Sequence, residues 1–72
     1  MKPTSKNIHA MRVLQSTTRN TLELTTIGKV HDSFGILCAF TNRESALEGL
    51  AACGFVHDPL DRRGYPVFAR KT

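Results

Sequence analysis

Apolar and polar positions fall into short blocks along the chain, and the period of each block predicts an element. Residues Ile8 to Gln15 alternate, with Met11 and Val13 on one side and Arg12 and Leu14 on the other, which predicts a strand. Ser16 to Asn20 carries turn chemistry. Thr21 to Val30, rich in Thr, Leu, Ile and Val, predicts a second strand. Leu22 and Leu24 share a parity that Ile27 breaks, so a bulge is expected near Thr25–Thr26. A turn at His31-Asp32-Ser33 follows. Phe34 to Thr41 then sets Phe34, Ile36, Cys38 and Phe40 on one face and Gly35, Leu37 and Ala39 on the other, which predicts a central strand covered on both sides.

The pattern changes period at Thr41. Thr41-Asn42-Arg43-Glu44 fits a capping box, and Ala46, Leu47, Leu50 and Ala51 make an apolar stripe at helical spacing up to about Cys53. Gly54 suits the left-handed residue that ends such a helix, and Phe55 behind it can fold back on Leu50. Phe55 to Asp58 and Tyr65 to Arg70 predict a hairpin, joined through Pro59-Leu60-Asp61-Arg62-Arg63-Gly64 as a type I turn. Pro66 lacks an N–H, which assigns the last strand to an edge. The expected fold is α+β: a small antiparallel sheet in the order β-β-β-α-β-β with one helix packed on one face.

The 72 residues amount to one domain, 1–72, with a polar and flexible start over 1–7. A 40% hydrophobic fraction is too apolar for disorder, and no uninterrupted apolar stretch has the length of a membrane span or a signal peptide. Two cysteines, Cys38 and Cys53, are few for a secreted domain of this size, so a reducing, cytoplasmic setting is expected. The formal net charge of +4 is unevenly laid out. Lys2, Lys6, Arg12 and Arg19 precede the first acid, and Arg62, Arg63, Arg70 and Lys71 follow the last. The six acids all lie from Glu23 to Asp61, against Lys29 and Arg43.

Candidate chemistry is thin. His31-Asp32 and His57-Asp58 carry the residue types for acid–base work on phosphodiesters, yet neighbours on a strand point to opposite faces, so neither dipeptide is a dyad by itself. Cys53 and His57, with Cys38 and His31, offer four zinc-ligand types but only one pair at usable spacing. No cofactor loop, catalytic residue or metal set is assigned. Ser45, Gly49 and Ala52 line one side of the helix, with Glu48 beside them. Glycine inside a helix costs about 1 kcal/mol relative to alanine, which is accounted for if another backbone or a partner approaches there. Among the aromatics only Tyr65 is left free of the core, next to the basic group Arg62, Arg63, Arg70 and Lys71.

From Ala46, the run of helix, Gly54-Phe55, strand, turn and strand resembles the rhythm of small dsRBD-like HicA toxins. Asp61-Arg62-Arg63-Gly64 stands where those toxins carry a glycine-serine-histidine segment, so no activity transfers. In size and style the chain also resembles small free-standing phage inhibitors, anti-CRISPR proteins among them. The expectation is a non-enzymatic inhibitor or adaptor, phage-type, docking on a larger protein or nucleoprotein complex as a monomer or homodimer. Its contacts are expected at Arg62, Arg63, Tyr65, Arg70 and Lys71, with Ser45, Glu48, Gly49 and Ala52 as a second face. The alternatives are direct nucleic-acid binding through the basic hairpin and termini, and a small ribonuclease-type toxin.

Overall fold

A computed structural model describes residues 4–58 and 65–71. The chain is a small α+β fold in which all strand pairs are antiparallel. The elements are α1 (Ser5–Ser16), β1 (Thr21–Leu24), β2 (Lys29–Asp32), β3 (Gly35–Ala39), α2 (Arg43–Ala52), β4 (Phe55–Asp58) and β5 (Val67–Arg70). The sheet has five strands in the order β3-β2-β1-β5-β4.

The first element is a helix, not the strand expected over Ile8 to Gln15. Its buried stripe is Asn7, Ala10 and Leu14, and the polar Asn7 hides the helical period from a hydrophobicity pattern. Thr4 caps the helix by accepting a bond from the Asn7 N–H at 3.1 Å. The flexible start expected over 1–7 therefore gives way from Thr4 onward; residues 1–3 lie outside the described residues. Asn7, only 1% exposed, ties α1 to the chain ahead of α2. Its Oδ1 accepts from the Thr41 N–H at 2.9 Å, and its Nδ2 donates to Thr41 Oγ1 at 3.2 Å.

Thr21 to Val30 is not one bulged strand but β1, a turn and the start of β2. Thr25 closes the turn: its N–H donates to the Lys29 carbonyl at 2.9 Å and its Oγ1 accepts from the Lys29 N–H at 3.1 Å. Ile27 breaks parity because it sits at the exposed tip. Gly28 has φ +90°, and a Cβ there would lie 2.6 Å from the Asn42 carbonyl oxygen, so only glycine lets the turn press on the α2 N-cap.

The bulge lies one hairpin later. Val30 pairs with Cys38 but His31 pairs with Ile36, leaving Leu37 extra in β3. That one-residue slip inverts parity, so Cys38 and Phe40 enter the core while Ile36 and Phe34 are 59% and 79% exposed. Nor is β3 central: it is an edge strand. β5, expected at an edge because of Pro66, lies between β1 and β4. Pro66 only precedes β5, and its carbonyl accepts from the Leu24 N–H at 3.0 Å, so its missing donor costs the ladder nothing.

α2 matches expectation closely. Its cap is Asn42, one residue beyond the expected Thr41, with Oδ1 accepting from the Ser45 N–H at 2.8 Å. Gly54 takes φ +85° after it. Alternate sheet residues Leu22, Leu24, Val30, Cys38, Phe55 and Phe68 form the core with Phe40, Ala10 and Leu14 near α1, and Ala46 and Leu50 on α2. Both helices pack on this face. The other face of the sheet carries no helix.

A candidate recognition surface on the uncovered sheet face

Strand register defines the uncovered face. One row crosses all five strands as Ile36, His31, Glu23, Val67 and Asp58, because Ile36 pairs with His31, His31 with Glu23, Glu23 with Val67 and Val67 with Asp58. A second row is Thr21, Ala69 and Val56. None of these residues is buried, in contrast to their chain neighbours on the core face. Apolar Ile36 and Val56, 59% and 49% exposed, stand beside charged and polar groups on it.

At one end of the face lies a cleft of about 330 Å3, lined by Arg19, Asn20, Thr21, Glu23, His31, Asp32 and Ser33. Asp32 organises it. Its Oδ1 accepts from the Phe34 N–H at 2.7 Å, shaping the β2–β3 turn, and its Oδ2 meets Arg19 Nε at 3.5 Å. The Arg19 guanidinium also lies 4.5 Å over the centre of the Phe34 ring. On the core side, Arg70 Nη2 donates to the carbonyls of Thr17 and Arg19 at 2.9 Å each, and its guanidinium lies 4.7 Å over Phe55. Arg70 thereby clamps the 17–20 loop that presents Arg19 and Asn20.

The expected contact residues are not brought together. Arg62 and Arg63, with the expected type I turn, lie outside the described residues. Tyr65 is exposed just before β5 and Lys71 just after it, so the strand separates them. Arg70 is committed to the loop clamp. On α2, Ser45 and Gly49 are buried while Glu48 and Ala52 are exposed. A Cβ on Gly49 would lie 2.6 Å from Phe40 Cζ and 2.9 Å from Met11 Sδ. The close approach expected at Gly49 is real, but what approaches is the protein's own core and α1, so the strip is no outward face.

The histidines also separate. His31 faces Glu23 on the uncovered side, while His57 pairs with Phe68 on the core side, their rings 5.5 Å apart. Among the described residues no three His, Cys, Asp or Glu side chains gather as a metal-binding group. Both thiols are free. Burial, and next the neighbouring Cys53, push the Cys38 thiol up to about 11. Burial also raises Cys53, opposed by the charge of Arg70. No helix among the described residues is long and apolar enough to cross a membrane.

Pattern reading missed Arg19, Glu23, His31 and Phe34 as neighbours. The turn at Asp32 was visible, but the cross-strand pairing of Glu23 with His31 is set by register, which no local signal encodes. Comparison with protein-family models, curated proteins and solved structures finds no match for this chain.

Proposed function

We propose that the protein is a non-enzymatic binding protein, an inhibitor or adaptor acting in a reducing cytoplasm, that docks on a larger protein or nucleoprotein complex through the uncovered sheet face. One observation carries this reading: both helices pack on one side of the sheet, and the bare side exposes Ile36 and Val56 among charged residues instead of a uniformly polar surface. Mixed apolar and charged composition is what non-obligate protein interfaces present. The separation of His31 from His57 across the sheet supports recognition over two-histidine ribonuclease chemistry.

The test is affinity capture from the native host with the wild type and with Ile36→Asp and Val56→Asp. Both variants alter exposed positions, so the thermal midpoint is expected to stay within a few degrees while the co-eluting partner is lost. Retention of the partner by both variants refutes the sheet face as the contact. Arg62→Glu with Arg63→Glu tests the basic hairpin in the same experiment.

Direct nucleic-acid binding is the second reading, and a specific observation favours it. Phe34, expected in the core, is instead 79% exposed with a guanidinium on its ring. Aromatic and arginine platforms of that kind stack single-stranded bases.

A further inference from the structure

The cleft beside Arg19 differs from the rest of the face in having depth and a lining of both donors and acceptors. Its volume, about 330 Å3, is at the small end of ligand sites and suits one nucleotide better than a folded peptide. Arg19 lines the cleft and packs on Phe34, which does not line it, so the guanidinium stands between ring and cleft. Held by the ring on one side and by Asp32 at Nε, it forms a fixed planar shelf, and unpaired bases stack on such planes.

Glu23 lies across from His31 on adjacent strands at the cleft. An ionised carboxylate is an acceptor-only group with two oxygens side by side. Guanine matches it, because its N1–H and N2 amino group offer adjacent donors on one edge. Adenine and the pyrimidines lack that pair of donors. Asn20, Thr21 and Ser33 add an amide and hydroxyls suited to a sugar.

We propose that this cleft is a subsite for a guanine base of a single-stranded nucleic acid, with Arg19, backed by Phe34, as the stacking shelf and Glu23 as the paired acceptor. The inference rests on the nucleic-acid reading above. Two carboxylates against one guanidinium make the cleft a poor phosphate site, so the base, not the backbone, supplies the affinity. Salt dependence is accordingly shallow for a protein of net charge +4.

The test is titration of the isotope-labelled full chain with guanosine 5′-monophosphate, followed by amide chemical shifts. The adenosine, cytidine and uridine monophosphates and N-acetylarginine amide serve as competitors. The guanine nucleotide is expected to shift the amides of residues 19–23 and 31–33 and to outbind the other three. Glu23→Gln is expected to weaken it about tenfold or more and to erase the preference. Phe34→Ala, at an exposed turn, is expected to weaken all four nucleotides while the fold persists. Shifts that map elsewhere, equal affinity for adenosine monophosphate, or tighter binding of the arginine compound would overturn the proposal, the last by assigning the cleft to a partner protein's arginine. Partner capture that depends on Ile36 and Val56 without any guanosine binding would leave the docking reading in place and remove this one.

Discussion

Gly49 provides a direct quantitative check on how the two helices meet. Replacing it with alanine in an exposed helix would stabilise the chain by about 1 kcal/mol, through reduced backbone freedom. Here the added methyl would lie 2.6 Å from Phe40 Cζ and 2.9 Å from both Phe40 Cε2 and Met11 Sδ. Carbon atoms pack best at about 3.5–4.0 Å, so the ring must retreat by roughly 1 Å. Met11 is half-buried and can swing aside, but Phe40 is 1% exposed and enclosed by the core. Overpacking of this type costs about 1–3 kcal/mol, and the enclosed ring places Gly49→Ala at the upper end. Set against the propensity gain, the net loss is about 1–2 kcal/mol. For a chain of this size that lowers the thermal midpoint by roughly 5–15 °C. Urea and thermal unfolding followed by circular dichroism measure it. In the double variant with Phe40→Leu, which removes the clashing atom, the two losses are expected to be less than additive by about 1 kcal/mol. A Gly49→Ala variant as stable as the wild type, or more so, would refute the packing of α1 and Phe40 against α2.

Gly28→Ala is expected to cost more than about 2 kcal/mol, because a positive φ and a backbone clash with Asn42 act together; Gly35→Ala, with φ +130° and open space around it, is expected to cost less in the same unfolding assay. Arg70→Ala is expected to cost about 1–3 kcal/mol through the lost charge-assisted bonds to Thr17 and Arg19, and to accelerate hydrogen exchange in the 17–20 loop; an unchanged loop would refute the clamp. Cys38, with its folded-state thiol at about 11, holds its proton after the unfolded chain has released its own. Its contribution is therefore complete below the ordinary thiol range and is lost as pH rises toward about 11, so stability should fall from about pH 8 to about pH 10.5 more steeply than in Cys38→Ala. A disulfide reagent at neutral pH should modify the half-buried Cys53 well before the buried Cys38, and equal rates would contradict the packing of β3.

Local signals in the chain were sufficient for α2, its glycine stop, the antiparallel α+β class and most of the hydrophobic core, because caps, turn residues and side-chain period act within a few residues of one another. Thr41 and Asn42 are both capping types, and local pattern placed the helix start within one residue. Three features were decided only by tertiary structure. α1 buries Asn7, whose partner Thr41 is remote in sequence, so its stripe does not read as apolar. The extra residue at Leu37 inverts the parity of β3, which sends Phe34 and Ile36 outward although their spacing matches that of Cys38 and Phe40. β5 enters the middle of the sheet because β1 accepts it, a pairing between distant segments. The surface follows from these long-range choices: Glu23 faces His31, and Arg19 meets Phe34, only once register and sheet order are set. Hydrophobic period says which residues need cover, but which strand or helix supplies that cover depends on contacts formed across the whole chain.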